Sequence, residues 1–475
     1  MQLKYILFIP AILLIIFLYT YKLFYTFNFH PDFARDIYDL LMIVRGKPSL
    51  IGPKLSFGGI YSGPYYYYLL LPVFYLSNLN IYSLPILNAV FFVLALAFFY
   101  LFISKKYGVF SAILSTLAFA FIPIYLTHSR SPWNGSFYLP LLLIFLIWLY
   151  FGKFGRIESF LMGFLAGVIT SIHLVNFPLL IFSAVFLFYF LKKRKNLGFY
   201  FYGILTAFLP LIIFEFRHNF VMLKNTFITG SYLNFIENKN IPDAVSGNKN
   251  VFKNILFLGK NLSLQLGVNI LFYFGFFAFV WNRIKFEKNK FLIKSVSLLV
   301  PLYALLLRYQ FGQHYLFPLS LVIAFTAIIT ILNLKSKWLL LVIILLELYS
   351  FPKNIYGLGA RKPEKYETAV RYAINKKIIK ENEPFNIIQY SEEYRIYVPV
   401  GHEYRFFFLK HGFKPKSEFE YNSSDILLIF SEAEELDILK LNSWELDQFG
   451  KENLRISEKY QIGDITIFKI KKTYD

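Results

Sequence analysis

Residues 28–46 read "NFHPDFARDIYDLLMIVRG", and they follow almost directly on the apolar run "YILFIPAILLIIFLYTY" at 5–21. A helix needs about 20 apolar residues to cross a hydrocarbon layer. The first run with its neighbours reaches that length, so three aspartates are placed just beyond a membrane-crossing helix. Pro31 suits a first helical position, and Asp32 then falls in the first turn, where the helix dipole favours an acid. Asp32, Asp36 and Asp39 are spaced i, i+4, i+7 and share one face, with Arg35 beside it. Ile37, Leu40, Leu41 and Ile43 lie mostly elsewhere around the helix. The pattern predicts an amphipathic helix at the membrane surface that presents a carboxylate stripe and ends before Gly46. A solvated helix face with a capping aspartate would give similar letters. The place of the stretch, directly after the first span, favours a functional reading.

The rest of the chain supports a membrane setting. It has 475 residues, of which 57% are hydrophobic and only 16% charged, against about 45–50% apolar and about 25% charged in a typical soluble domain. The apolar residues come in long runs such as "LPILNAVFFVLALAFFYLFI" at 84–103. There is no cysteine, so disulfides and thiolate metal sites are excluded. No small-residue cleavage site follows the first run and many more apolar runs do, so it reads as an uncleaved first span.

Spans are predicted near 5–24, 82–103, 108–127, 136–152, 158–174, 176–191, 198–215, 268–282, 291–308, 315–333 and 337–352. The shorter segment 64–77, "PYYYYLLLPVFYLS", reads as a re-entrant or interfacial helix. The net charge is +20, and its placement is a topology signal. Lys4, Lys105 with Lys106, Lys153 with Arg156, Lys192 to Lys195, Arg283 to Lys290, and Lys335 with Lys337 all fall between spans that alternate consistently if those loops are cytoplasmic. Nucleic acid is not needed to explain the charge. The expected fold is therefore an α-helical polytopic membrane protein of about 11 spans, multi-pass in the cell membrane with a cytoplasmic N-terminus. Residues 1–355 form the transmembrane domain, with a first outer loop at 25–63. After about residue 355 charges become frequent. "YETAVRYAINKKIIKEN" has helical periodicity, and "FNIIQY", "DILLIF" and "ITIFKI" read as short buried strands. This predicts a small α/β domain at 361–475 on the extracytoplasmic side.

On this topology the polar residues collect at one end of the spans. All seven histidines fall at or beyond the outer boundary, as do "THSRSPWNGS" (127–136), "EFRHNF" (215–220) and "RYQFGQHY" (308–315). Helix ends are commonly polar. Polar groups at bilayer depth are costly unless paired or wet, and a ring of them on one side suggests a cavity that opens outward.

These features together resemble the GT-C glycosyltransferases, the class that includes protein O-mannosyltransferases and bacterial aminoarabinose transferases. "DFAR" at 32–35 stands where that class carries an acidic Asp-Glu-x-Arg-like motif, with an amphipathic helix and Gly46 behind it. Phe33 replaces the usual acid, and Asp36, one turn later, is the candidate to supply it. "GPYYYYLLLP" (63–72), "HSRSPWN" (128–134) and "QHYLFPL" (313–319) are similar in character and order to three further family elements. The resemblance implies a transferase that takes a sugar from a polyprenyl-phosphate-linked donor at the outer leaflet and passes it to an acceptor.

In that reading Asp32 first, and Asp36 second, is the catalytic base that takes the acceptor's proton, and Asp39 is structural. Arg35, Arg130, Arg217 and Arg308, with His218 and His314, are candidates for the donor phosphate, since guanidinium matches phosphate geometry. Tyr61, Tyr65, Trp133, Asn134 and Tyr315 are candidates for sugar or acceptor contacts. No cofactor is firmly implied. Some relatives use a divalent metal, but no tight ligand spacing such as His-Glu-x-x-His occurs. Partners are the lipid-linked sugar, membrane lipids and an acceptor that could be protein, lipid or cell-envelope polysaccharide. A flippase or transporter of lipid-linked sugars, a polysaccharide polymerase or ligase, and a non-catalytic scaffold are the alternatives. "GFLAG" (163–167) is a small-residue pair that lets two helices of the same chain pack closely.

Overall fold

The structure is a computed structural model and describes residues 2–55, 59–190, 196–229, 251–306, 312–391, 400–433, 436–438, 443–450 and 454–472. Helices are α1 Gln2–Thr20, α2 Leu23–Thr26, α3 Pro31–Val44, α4 Tyr65–Leu76, α5 Ser83–Tyr107, α6 Val109–Ala120, α7 Pro123–His128, α8 Asn134–Phe137, α9 Leu139–Phe151, α10 Arg156–Ile172 and α11 Phe177–Phe190. They continue with α12 Asn196–Arg217, α13 Val221–Phe227, α14 Val251–Leu266, α15 Ile270–Val280, α16 Glu287–Leu306, α17 Phe317–Asn333, α18 Trp338–Tyr349, α19 Pro363–Asn375, α20 His402–Lys410 and α21 Trp444–Phe449. Four strands follow the same chain: β1 Phe385–Tyr390, β2 Ile426–Ser431, β3 Leu454–Ile462 and β4 Ile465–Lys472. The chain divides into two compact units, Met1–Thr26 with Ser49–Gly357, and Phe27–Pro48 with Leu358–Asp475.

The first unit is helical. Among the described residues five helical runs are long and apolar enough to cross a membrane: Phe8–Thr26, Ser83–Tyr107, Asn134–Phe151, Asn196–Arg217 and Gln313–Asn333. The pair Phe252–Leu266 and Ile270–Arg283, bent by 93° at its break, makes a sixth if counted as one span. Large apolar side chains such as Leu13, Phe17, Leu94 and Leu205 stay exposed on these helices, which water would not tolerate in such number and lipid does. By contrast α17 is buried from Phe317 to Leu332, as a helix apolar all round should be. Helix α4 has 12 residues and is about 18 Å long, short of the roughly 30 Å hydrocarbon core.

Proline divides one of the expected spans, and an Asn cap sets the start of another. Residues 108–127 break at Ile122, which is extended before Pro123, and Pro123 then starts α7 at its first position. Residues 268–282 begin at Asn269, whose side-chain oxygen caps α15 through the Leu271 amide at 2.9 Å. Gly267 before it has a left-handed φ of +70° and stands where a Cβ would meet Pro123. Helix α14 falls between the expected spans 198–215 and 268–282, because Asn, Lys and Ser hide its stripe of buried Leu258, Leu262 and Leu266. Helices α10 and α12 approach closest at glycine: a Cβ on Gly163 would lie 1.9 Å from the Tyr200 carbonyl oxygen, and one on Gly203 would lie 2.1 Å from that of Phe160. The small-residue pair at 163–167 thus joins two helices of one chain.

The second unit is a four-stranded sheet in the order β1-β2-β4-β3. β1 and β2 are parallel, with Phe385 opposite Ile426, and β2 and β4 are antiparallel, with Ile429 opposite Phe468. β1 is buried but for its last residue and β2 is buried throughout, as strands covered on both faces are. Ile388, Leu427, Ile429, Tyr421, Phe468 and Ile470 share one core. β3 pairs only with β4, and its charges suit an edge.

The acidic helix α3 belongs to this second unit. The Phe29 amide donates to the Arg361 carbonyl at 2.8 Å, and the Arg361 amide to Asn28 Oδ1 at 3.0 Å. Arg45, just past the helix, donates to the Leu409 carbonyl at the end of α20, and α3 packs on α20. The Phe29 ring lies 5.8 Å from that of Phe407 and 5.9 Å from that of Tyr366. Residues 25–63 therefore split between the units, the part from Ser49 staying with the first.

Candidate functional site

In the second unit, α3 starts as its sequence predicts. His30 is the N-cap and accepts from the Phe33 amide through Nδ1, and Pro31 takes the first helical position. That bond fixes Nδ1 as the unprotonated nitrogen, and burial lowers the His30 pKa. Gly46, with φ +85°, ends the helix in the left-handed region.

The three aspartates do not form an even stripe. Four residues of helix advance about 40° beyond a full turn, which carries Asp36 toward the Phe33 and Leu40 side. Asp36 is 1% exposed, whereas the Asp32 side chain is 52% exposed. Arg35 joins them: its Nη2 and Nε donate to Asp36 Oδ1 at 2.8 and 3.1 Å, and its Nη1 to Asp32 Oδ1 at 3.2 Å. Asp36 Oδ2 has no hydrogen-bond partner among the described residues. Burial pushes the Asp36 carboxyl up to about 7, against the opposing pull of Arg35. Asp39 is half-buried on the same side.

A second buried carboxyl lies in this unit. Glu403 accepts from Arg361 Nη1 at 3.1 Å, with both side chains nearly closed to solvent. Burial raises its pKa to about 7 despite Arg361.

In the first unit, three of the expected residues come together with two others. The Trp133 ring lies 5.0 Å from His314 and 6.2 Å from His128. His173 lies 5.4 Å from His314 and 6.0 Å from Tyr315. Two glycines make room for these rings: a Cβ on Gly135 would sit 2.6 Å from the Trp133 ring, and one on Gly312 would sit 2.4 Å from the His314 ring. Asn88 of α5 fixes the neighbouring turn by donating to the carbonyls of His128, Ser129 and Ser131 at 2.8, 2.9 and 3.1 Å. The position of His128 and His173 at helix ends was the one sequence signal for them, and Asn88 gave none.

The other candidates lie apart from this ring cluster. Arg130 is buried and donates to the carbonyls of Leu18, Tyr19 and Tyr21 and to Thr26 Oγ1, so its guanidinium clamps the end of α1. Arg217 is exposed in the last turn of α12 and makes no ion pair among the described residues. His218 stacks on Phe214 at 4.1 Å, and Tyr61 meets the same ring at 5.8 Å. Tyr65 packs edge-on to Phe164 at 6.1 Å. Asn134 is buried at the start of α8. Arg308 lies outside the described residues.

No protein-family model matches the sequence, and no curated protein is similar to it in sequence. Solved structures are similar to it in fold. ArnT from Cupriavidus metallidurans in the apo state superposes with a TM-score of 0.59 at 10% identity, over 98% of this chain and 97% of that one. The same protein bound to undecaprenyl phosphate gives 0.59 at 9% identity, with the same coverage. The chain has the GT-C fold. Arabinofuranosyltransferase AftD from Mycobacteria is a more distant match, with a TM-score of 0.48 at 10% identity, over 99% of this chain and 40% of that one. No group of three or more His, Asp or Glu among the described residues is arranged to hold a metal ion. Between Asp32 and Asp36 the cationic place is already taken by Arg35.

Proposed function

We propose that the chain is a membrane glycosyltransferase that moves a sugar from a polyprenyl-phosphate-linked donor to an acceptor hydroxyl or amine, with Asp36 as general base. The observation that carries this reading is Asp36 itself. It is a buried carboxyl with one oxygen held by Arg35 and the other without a partner, on the helix after the first span of a GT-C fold. A base works best with a pKa near the working pH, and about 7 meets that requirement. Asp32, half exposed, holds Arg35.

In the reaction, the acceptor oxygen or nitrogen forms a bond to C1 of the sugar. The bond from C1 to the phosphate oxygen breaks, and its electron pair leaves with the polyprenyl phosphate. Asp36 Oδ2 takes the acceptor's proton. Within the first unit taken by itself, the rings of Trp133 and Tyr315 present apolar faces of the kind that suit a sugar. Of the two described arginines proposed in the first unit for the donor phosphate, Arg130 is engaged with α1, which leaves Arg217. The distribution of Lys and Arg supports transfer on the extracytoplasmic side, with the C-terminal unit there.

The test is transfer from a mixture of labelled polyprenyl-phosphate sugars in membranes that contain the parent protein, Asp32→Asn or Asp36→Asn at matched expression, with native membrane extract as acceptor. Transfer by the parent that is lost in Asp36→Asn and only reduced in Asp32→Asn is expected. Transfer that survives Asp36→Asn overturns the assigned base. A lipid label that crosses the bilayer with no transferred product favours a flippase instead.

A further inference from the structure

A groove of about 500 Å³ runs along α15 in the first unit, between it and the turn from α17 to α18. Leu271, Phe272, Phe276 and Phe279 form its apolar walls, and Gly275 lies on its floor. A Cβ on Gly275 would meet nothing within 4 Å, so the floor is open space and not a helix contact. Leu271 and Phe279 are largely exposed, and the groove is open to the surroundings along its side.

One end of the groove is cationic. Arg283 lines it and folds over the Phe279 ring at 4.6 Å. No carboxylate pairs with Arg283 among the described residues. Lys335, exposed between the lining residues Leu334 and Ser336, takes a left-handed φ of 58°, and the Ser336 amide reaches back to the Ile331 carbonyl at 3.2 Å. Lys337 follows, 4.9 Å above the Phe110 ring. Trp338 beside it is exposed and Trp281 is half-buried. Trp with Lys and Arg at helix ends marks the headgroup level of a bilayer.

From this arrangement we infer that the groove holds one acyl chain of an anionic phospholipid, with the headgroup phosphate at Arg283. The walls exclude a charged or polar occupant, and the cationic rim selects an anionic headgroup over a zwitterionic one. A lipid-linked sugar donor would be in the wrong place here. Helix α17 starts at Phe317, beside the ring cluster, and ends at Asn333, beside the groove, about 25 Å away along its axis. A phosphate at Arg283 could not present its sugar to Trp133 and His314. The site is thus a lipid site on the opposite leaflet, and it does not depend on the reaction proposed above.

The test is native mass spectrometry of the full chain, released from micelles that contain equal amounts of phosphatidylglycerol and phosphatidylcholine with matched chains. The parent protein is expected to retain phosphatidylglycerol preferentially. Arg283→Ala is expected to cut that retention about fivefold, which is the share of one cation at an anionic headgroup. Gly275→Leu fills the floor and is expected to cut retention of both lipids. Its side chain enters open space and it favours the helix, so folding is kept. Equal retention of the two lipids by the parent, or phosphatidylglycerol retention unchanged in both variants, overturns the inference. So does displacement of phosphatidylglycerol by an equal amount of polyprenyl phosphate, which would make the groove a donor site.

Discussion

Replacing Asp36 by Asn separates a cost from a use of the same carboxyl. The ordinary value for an aspartate is 3.8, and burial holds Asp36 at about 7. Between those values the folded chain keeps a proton that the unfolded chain has released. Stability therefore falls by up to about 1.4 kcal/mol per pH unit as pH rises from about 4 to about 7, and is level above that. The total has a ceiling of about 4 kcal/mol, already net of Arg35. Asn carries no charge to bury. Asp36→Asn is thus expected to unfold at a higher temperature than the parent at pH 8, with the difference gone near pH 4. Glu403 also titrates near 7, but it is common to both proteins and cancels in the comparison. The same variant is expected to lose about 10²–10⁴-fold in transfer rate, and the parent's rate is expected to rise with pH through about 7 as the base ionises. Thermal scanning at pH 4 and pH 8 in one detergent, together with initial transfer rates, reads both effects. Identical unfolding of the two proteins at both pH values would refute the buried carboxylate, and an undiminished rate would refute the base.

Arg361→Met leaves Glu403 buried without its cation; a loss of about 3–5 kcal/mol is expected at pH 8 and a smaller one at pH 5, where Glu403 takes up a proton, and equal losses at the two pH values would count against this. Gly203→Leu places a side chain against the Phe160 backbone and is expected to cost about 1–3 kcal/mol or more, whereas Gly198→Leu on the same helix meets open space and is expected to be tolerated; thermal unfolding of the pair decides it. Gly135→Ala displaces the Trp133 ring without touching a charged group, and KM for the lipid-linked sugar is expected to rise about tenfold, in line with about 1.4 kcal/mol of lost contact. An unchanged KM would remove Trp133 from the sugar site.

The apolar runs made the helices legible, and the dipeptide signals at Pro31 and Gly46 placed α3 to within two residues. Strands β1, β2 and β4 were legible because each is a short apolar run, while β3, an edge strand with charges on it, was not. Pro123 broke a helix that hydropathy alone runs together across 108–127, since hydropathy does not register a lost amide. The site was only half legible. Asp32 and Asp36 are equivalent as letters on one face, and only packing shows that one is buried and the other wet. Arg130 looks like a phosphate ligand in "HSRSPWN", yet its partners are carbonyls of α1, more than 100 positions earlier in the chain. Burial and long-range backbone partners leave no local pattern, so such residues can be nominated from sequence but not assigned.

The fastening of α3 to Arg361 has a consequence for the order in which the protein is made. Val44 and Arg361 lie 317 positions apart in the chain, so at roughly 5–20 residues per second the acidic helix waits roughly 15–60 s on the ribosome for its anchor. A helix of 14 residues is marginal in water on its own. The carboxyl proposed as base is therefore among the first groups to be synthesised and among the last to be set in place. Premature termination just before Arg361 yields a chain with its apolar helices and all three aspartates but no ordered base. Removal of residues 361–475 does the same, and so cannot by itself reveal what the sheet domain contributes to choosing an acceptor.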